Sequence, residues 1–295
     1  MKSFFYLSFL IGMCSFNAYD MTAQRTSSSD SLTALDEKSY LFVDIGYSND
    51  WIYMGRKDSL PNPYLTAGLS WYDRSGFFIT SSLFYLTRSA SSRIDLFTIG
   101  LGYDYETYRL STGIAASGYF YNPSSYNVQS EMSAYLNGYI TYDFNLIQAN
   151  VASGIGFSSE VDGFVSAGIF RDIYLTKNFE LQPSFLAAWG TQNYYDQYYQ
   201  NRSSSYGSGK GKGKMQGGST PTASVLEDSK FELLNYEFAL NLAYTLSRVR
   251  FNAAGTYALP QNPAELLIED VIVPEDIEPS VYWSVGVTYI LLEND

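Results

Sequence analysis

Three lysines at alternate positions form the most conspicuous group in this sequence that could bind a ligand. Lys210, Lys212 and Lys214 are separated by single glycines in a stretch rich in Gly and Ser. A lysine in a Gly-rich loop can bind phosphate when the loop follows a strand and opens a helix at a fixed spacing. That spacing is missing here, so the run is typical of a flexible loop whose cations can contact an anionic surface.

A group of tyrosines precedes the lysines. The rings belong to Tyr194, Tyr195, Tyr198 and Tyr199. Tyrosine has an apolar face and a polar tip, so such rings can stack on sugars, which predicts a contact with a surface glycan. The same residue type is also common where a protein crosses a membrane–water boundary. Both interpretations stay open at this point.

A second charged region follows near the end of the chain and is acidic. Its carboxylates are Glu265, Glu269, Asp270, Glu275, Asp276 and Glu278. Oxygen ligands suit calcium, but the regular acidic spacing of a calcium loop is absent. The pattern therefore favours a solvated acidic loop, and no metal site is predicted.

Histidine is absent from the chain, and Cys14 is the single cysteine. Without histidine there is no Ser-His-Asp catalysis and no imidazole metal site, and one cysteine cannot form a disulfide within the chain. The sequence therefore predicts no catalytic residue and no bound cofactor. The formal net charge of −12 argues against nucleic acid as a partner.

The elements that must position these residues are strands, and residues 231–259 show them most clearly. Apolar side chains recur at every second position from Leu234 through Tyr236, Phe238 and Leu240, and small or polar side chains lie between them. A period of two is the pattern of a strand and cannot form one face of a helix. After a short turn the pattern resumes, which is typical of a hairpin in a membrane β-barrel.

About twelve such segments follow one another along the chain. Short turns and longer connections alternate between them, and the longest connections fall near 49–63, 194–230 and 260–279. Charged residues make up only 16% of the sequence, against roughly 25% in soluble domains. Pro183 lies inside the ninth segment, and it predicts a β-bulge there because proline cannot donate to a ladder.

The first part of the chain predicts a targeting segment. Residues 1–24 combine Lys2 with an apolar core and a small-residue tail, which is the pattern of a signal peptide cleaved near Ala23 or, alternatively, near Ala18. Residues 25–38 are rich in Ser and Asp and predict a flexible lead-in. Residues 39–295 then form the predicted barrel.

Over nearly all of this region the chain resembles the outer-membrane β-barrel proteins of Gram-negative bacteria. Its last strand, with Trp283, Val285, Val287 and Tyr289 in alternation, is similar to their assembly signal, although the chain does not end on Phe. The resemblance implies an all-β, antiparallel up-and-down transmembrane barrel with short periplasmic turns, long extracellular loops and both termini in the periplasm. It also implies contacts with outer-membrane lipid, lipopolysaccharide and the barrel-assembly machinery.

Alternation assigns a set of polar side chains to the lumen. They are Asp44, Arg109, Glu131, Asn137, Asp143, Gln148, Asn150, Glu180, Gln182, Glu237, Asn241, Arg250 and Asn252. Carboxylates outnumber guanidiniums in this set, so any pore should favour cations. The predicted function is a small channel for passive or selective passage of small solutes. The alternative is a non-conducting structural or surface-recognition barrel that acts through its loops.

Overall fold

Twelve long strands make up most of the described part of the chain. The computed structural model describes residues 38–58, 60–88, 91–196, 198, 223–226, 229–268, 271–275 and 277–294. In chain order the strands are β1 (Ser39–Ser48), β2 (Tyr64–Tyr72), β3 (Phe77–Leu86), β4 (Arg93–Glu106), β5 (Leu110–Tyr121), β6 (Ala134–Asp143), β7 (Gln148–Phe157), β8 (Val161–Phe170), β9 (Phe179–Gly190), β10 (Glu232–Leu246), β11 (Val249–Pro260) and β12 (Ser280–Asn294).

These strands form one closed antiparallel sheet. Each pairs with the strands before and after it in the sequence, and β1 pairs with β12 to close the ring. The prediction of an antiparallel up-and-down barrel of about twelve strands is therefore confirmed. In the described part of the chain, no helix has the length and apolar character needed to cross a membrane.

The two faces of the barrel wall differ in the way the sequence period requires. On β4, Phe97, Ile99 and Leu101 are 40–53% exposed on the outside, whereas Thr98 and Gly100 between them face the lumen. Leaving this much apolar surface in water would be unfavourable by about 25 cal/mol for each Å². The outer face is therefore suited to hydrocarbon.

One residue of the apolar row in β10 points the other way. Leu234 was expected on the outside with Tyr236 and Phe238, but it is fully buried inside the barrel. The register between β9 and β10 shifts between Ala188 and Trp189, and this bulge places an extra residue in β10. Because a shift of one residue reverses the face, Leu234 joins the interior together with its neighbour Asn235.

The predicted bulge at Pro183 is wrong. Pro183 lies opposite Leu240 of β10 in an unbroken register. The irregularity is instead on the side of β8, where pairing with β9 stops after Phe170 and resumes with the two-residue strand Ile173–Tyr174. Proline has no N–H to give to that neighbour, so the ladder is interrupted without an added residue.

The connections fall into two groups at opposite ends of the barrel. At one end are the turns 73–76, 107–109, 144–147, 171–178 and 247–248. At the other end are the connections 49–63, 87–92, 122–133, 158–160, 191–231 and 261–279. We call these the turn end and the loop end. A small antiparallel sheet at the loop end joins Ala223–Leu226, Glu265–Ile268 and Val271–Pro274.

Candidate functional site

The connection 49–63 folds back into the loop end of the barrel instead of extending away from it. Its two-residue strands Ile52–Tyr53 and Arg56–Lys57 pair as a hairpin. Five side chains of this hairpin are 2% exposed or less: Trp51, Ile52, Tyr53, Met54 and Arg56. We call residues 51–57 the plug.

The plug reaches opposite walls of the barrel. Trp51 packs edge-on against Tyr64 of β2 and Phe84 of β3, with ring centroids 5.4 Å apart in both pairs. Tyr53 packs in the same manner against Phe164 of β8 at 5.9 Å. In a ring of twelve strands β8 lies across the lumen from β2, so the plug crosses the lumen.

The turn of the plug hairpin needs backbone that few residues adopt. Met54 and Gly55 both have positive φ angles, of 50° and 78°, as two-residue hairpin turns require. A Cβ on Gly55 would lie 2.9 Å from the Cβ of Asn235 and 3.1 Å from the Cα of Pro260. The turn is thus pressed against β10 and β11. An X-Gly pair between two short polar–apolar segments is the sequence signal that could have revealed this hairpin.

Arg56 fastens the plug from within. Its Nη1 donates to the carbonyl of Leu234 at 3.2 Å, and its Nη2 donates to the carbonyl of Asn262 at 2.9 Å. The Glu275 carboxylate lies 3.7 Å from Nη2, and the side chains of this ion pair are 0% and 5% exposed. Buried charges are stable only when paired and hydrogen-bonded, and here one guanidinium joins the plug to β10 and to the connection 261–279.

Glu275 extends the same network to a third segment. Its carboxylate accepts a hydrogen bond from the Tyr195 hydroxyl at 2.6 Å and from the backbone N–H of Ala264 at 3.0 Å. The Arg56 guanidinium also lies over the Tyr195 ring, 5.8 Å from its centroid. Three connections of the loop end therefore meet at one ion pair. Sequence reasoning assigned no role to Arg56 and treated Glu275 as part of a solvated loop.

Asp50 joins the start of the connection 49–63 to its end. Its carboxylate accepts hydrogen bonds from the backbone N–H groups of Trp51 and Asn62, both at 2.8 Å. Burial raises the pKa of Asp50 above its usual range, and the two hydrogen bonds oppose that rise. The carboxylate thus holds together the two points where the plug leaves and rejoins the barrel wall, between β1 and β2.

Three of the predicted glycan-contacting tyrosines lie inside the barrel mouth. Tyr194, Tyr195 and Tyr198 are 0%, 3% and 6% exposed, and they pack with Tyr53 and Phe164. As folded, they present no ring face to an external glycan. Tyr199, Lys210, Lys212 and Lys214 lie outside the described residues, so the predictions made for them stay predictions.

A carboxylate on the barrel wall directs these tyrosines inward. Asp162 of β8 accepts hydrogen bonds from the Thr191 hydroxyl at 2.7 Å and from the backbone N–H groups of Asn193 and Tyr194 at 2.8 and 2.9 Å. Helical backbone begins at Asn193. Carboxylates satisfy the free N–H groups of a first helical turn, so Asp162 turns the chain into the lumen after β9.

At the turn end of the lumen, Phe42, Tyr72 and Phe78 form a buried aromatic cluster on β1, β2 and β3, and polar side chains of the other strands and turns fill the rest. Asp172 accepts hydrogen bonds from the amides of Gln148 at 2.9 Å and Gln182 at 2.7 Å. The oxygen of Gln182 in turn accepts from the Asn241 amide at 3.0 Å. Three predicted lumen residues, Gln148, Gln182 and Asn241, are thus linked to Asp172, which alternation does not assign because it lies two residues beyond the end of β8.

A second part of this network contains an ion pair. Arg250 of β11 donates to the Glu180 carboxylate at 2.9 Å and to the Asn252 oxygen at 3.1 Å. The Asn252 amide donates to the Thr288 hydroxyl at 3.4 Å. All four side chains face the lumen, as alternation predicts for the first three. We call this set, together with the Asp172 set, the turn-end network.

Other predicted lumen residues also face inward. The Asn150 amide donates to the Thr141 hydroxyl at 2.6 Å, and Glu237 accepts from the Asn235 amide at 2.9 Å. Asp44 is fully buried on β1. Asn137 lies on the inner face of β6 and is partly exposed. Asp143 is the last residue of the same strand. Its carboxylate accepts a hydrogen bond from the backbone N–H of Asn145 and so stabilises the following turn.

Two of the predicted lumen residues lie beyond the ends of the strands. Arg109 is exposed in the turn 107–109, where its guanidinium lies 5.5 Å from the centroid of the Tyr108 ring. A hydrogen bond with the Tyr142 hydroxyl raises the pKa of Arg109 above its usual value. Glu131 lies in the connection 122–133, before β6 begins at Ala134. The inward and outward alternation of side chains holds only within a strand, so it does not predict the direction of a side chain in a turn or loop.

Between the two ends the lumen wall carries small side chains. Ser82, Ser117, Ser184, Ala239 and Ala254 face inward on five different strands and are partly exposed. Because their strands present the other face to the outside, this exposure is to the lumen. The middle of the barrel is therefore less densely filled than its loop end.

In the described part of the chain, no group of three or more Asp, Glu, His or Cys side chains is placed to hold a metal ion. No protein-family model and no curated protein sequence matches the chain.

Among solved structures, the chain is similar in fold to the KdgM porin, with 10% sequence identity, a TM-score of 0.45 and coverage of 84% of this chain and 98% of that chain. It is likewise similar to the NanC porin, with 10% identity, a TM-score of 0.46 and the same coverage of 84% and 98%. A third similar structure is an outer membrane channel from Pseudomonas putida F1, with 9% identity, a TM-score of 0.44 and coverage of 90% and 99%. At these identities the likeness is one of fold.

Proposed function

We propose that the protein is an integral outer-membrane barrel that acts as a gated channel for small solutes, with the plug as its gate. The observation that carries this proposal is the division of the lumen. A separate hairpin crosses and fills the loop end, whereas the middle is lined by small side chains that remain partly exposed. In this proposal lipid and lipopolysaccharide surround the apolar belt, and the barrel-assembly machinery inserts the chain.

The way the plug is held supports a gating role. Within the described residues, the strands of the plug hairpin pair with each other and not with a barrel strand. Its attachment is through side chains, chiefly the aromatic contacts and the hydrogen bonds of Arg56. The plug can therefore leave the lumen without the loss of any ladder hydrogen bond of the barrel wall.

The charges that face the lumen favour cations. Asp44, Asp104, Glu180 and Glu237 point inward from the described wall strands, and Arg250 points inward near the turn end. At the loop end, Arg56 and Arg93 are each neutralised by a paired carboxylate. A water-filled path lined in this way has a negative potential, which raises the local concentration of cations. The solute class we propose is therefore small and neutral or cationic.

Single-channel recording in planar lipid bilayers tests the proposal. The plug is replaced by a Gly-Ser linker of the same length, and the matched control carries the same kind of replacement in the turn 107–109 at the opposite end. We expect the wild type and the control to be closed most of the time and the plug variant to show frequent discrete conductance steps, with reversal potentials that indicate cation preference. A plug variant that folds and inserts but never conducts would overturn the proposal.

A non-conducting barrel is the second candidate, and a specific observation favours it. Trp51 and Tyr194 are 0% exposed in two closely packed clusters at the loop end, which is what a permanently filled structural barrel would show. This candidate predicts silence from every variant in the bilayer. It also predicts that a surface partner or glycan binds the loop end equally well whether or not the plug is present.

A further inference from the structure

Two arginines at the loop end lie against the same aromatic ring. The guanidinium of Arg88, in the connection 87–92, is 5.7 Å from the centroid of the Tyr126 ring. The guanidinium of Arg93, at the start of β4, is 5.1 Å from the same centroid. Cations are attracted to aromatic faces at such distances. We call these three residues the arginine cluster, which shares no residue with the plug or the turn-end network.

Arg93 has a complete structural role. Its Nε donates to Asp95 at 2.7 Å, and its two terminal nitrogens donate to the carbonyls of Ser91 at 3.2 Å and Ser124 at 2.6 Å. Asp95 is itself fully engaged, because its other oxygen accepts from the hydroxyls of Tyr64 at 2.5 Å and Ser125 at 2.8 Å. This carboxylate therefore neutralises Arg93 and fixes the two connections to each other.

Arg88 differs from its neighbour. Its Nη1 is buried and has no hydrogen-bond acceptor among the described residues. The nearby carboxylate, Asp95, pairs with Arg93. A buried donor without an acceptor is costly, and a guanidinium is the side-chain group best suited to bind an oxyanion through two parallel hydrogen bonds.

We propose that Arg88, oriented by Tyr126 and Arg93, binds the oxyanion of a phosphate or carboxylate group at the mouth of the barrel. Arg93 brings a second positive charge to the same ring, while Asp95 leaves the cluster with one net positive charge. That balance fits a single anionic group. The source is either a soluble anion that arrives at the loop end or a phosphate of neighbouring lipopolysaccharide.

Calorimetric titration of the full-length barrel in detergent tests this site. The probes are inorganic phosphate, sodium glucuronate and lipopolysaccharide in its native and dephosphorylated forms, all at low ionic strength. The variants are Arg88→Gln, Arg88→Lys and, as the matched control, Arg74→Gln in a turn at the opposite end. Far-ultraviolet circular dichroism verifies that each variant is folded.

We expect Arg88→Gln to lower the affinity for the anion by about tenfold or more, because a charge-assisted pair is lost. Arg88→Lys should lose part of that affinity, since a point charge replaces the planar fork, and Arg74→Gln should lose none. Binding of free phosphate or glucuronate identifies a soluble ligand, whereas binding of native but not dephosphorylated lipopolysaccharide identifies the lipid. Equal affinity of Arg88→Gln and wild type, or binding of none of the probes, would overturn the proposal. Neither result depends on whether the barrel conducts.

Discussion

The two ends of the lumen are closed by different means. At the loop end, apolar rings and one buried ion pair involve the plug and the connections 191–231 and 261–279, none of which is part of the barrel wall. At the turn end the filling side chains belong to the wall strands and their turns: amides, carboxylates and one arginine bond to each other, and Phe42, Tyr72 and Phe78 form an aromatic cluster on β1, β2 and β3. The plug can leave the loop end without breaking the wall, whereas the turn-end side chains are inseparable from it. This difference is why we propose the loop end, and not the turn end, as the gate.

The difference also has an energetic side. Packing of rings against rings depends mainly on the apolar area withdrawn from water and on close fit. A buried polar network is stable only while each member keeps its partners, and a single loss leaves others unsatisfied. Mutations at the loop end should therefore change how firmly the plug is seated, and mutations at the turn end should change the stability of the barrel.

The largest effect is expected for Trp51→Ala. The ring contacts both β2 and β3, and its loss leaves a cavity between the plug and these two strands. We expect the free energy that seats the plug to fall by about 3–5 kcal/mol. Hydrogen exchange of the backbone amides of the plug measures this. Trp71→Ala, which removes a ring from the outer face of β2, is the control and should leave plug protection unchanged; similar losses in both variants would contradict the assignment of Trp51 to the plug.

Arg56→Met should be nearly as damaging. The substitution leaves Glu275 buried opposite an apolar side chain, and removal of one partner of a buried ion pair costs about 3–5 kcal/mol. The double variant Arg56→Met with Glu275→Gln should recover part of this loss, because no uncompensated charge remains. A double variant as unstable as the single one, by the same exchange measurement, would show that the ion pair does not hold the plug.

Gly55→Ala should have an intermediate effect. The added Cβ requires a strained positive φ and meets the wall at Asn235 and Pro260, which should cost about 1–3 kcal/mol of plug seating. Gly255→Ala on β11 is the matched control, because a Cβ there meets no atom within 4 Å. Equal protection of the plug in the two variants would contradict the close approach of its turn to the wall.

The smallest effect is expected at the turn end from Asn241→Ala. This change removes one neutral hydrogen bond to Gln182 and should lower the free energy of unfolding of the barrel by about 1 kcal/mol. Urea unfolding in lipid vesicles measures it. Plug protection should not change, and a change there would mean that the two ends of the lumen are coupled.

The barrel was predictable because its wall repeats a local rule. Period-two alternation and the sequence of short and long connections fix the twelve strands without any knowledge of distant contacts. The same rule places Glu180 and Arg250 on the inner face correctly. It fails for Leu234, where one extra residue in a bulge reverses the face, and for Arg109 and Glu131, which lie beyond the strands.

The plug and the networks were not predictable by that rule because their contacts join distant parts of the chain. Arg56 bonds to a carbonyl 206 residues away in the sequence, and Tyr195 bonds to a carboxylate 80 residues away. Neither residue type nor spacing indicates such a partner. The tyrosines near 194 show the consequence, since their composition suits a membrane rim or a sugar and their burial depends on Asp162.

The partners of Arg56 also imply an order of assembly. Leu234, Asn262 and Glu275 all belong to the last quarter of the chain, whereas Arg56 follows the first barrel strand. Before the strands after residue 231 are in place, the Arg56 guanidinium has none of these three partners, although Trp51 can already pack against β2 and β3. We therefore expect the guanidinium to stay hydrated until late in maturation and the plug to be fully fastened only after the ring has closed.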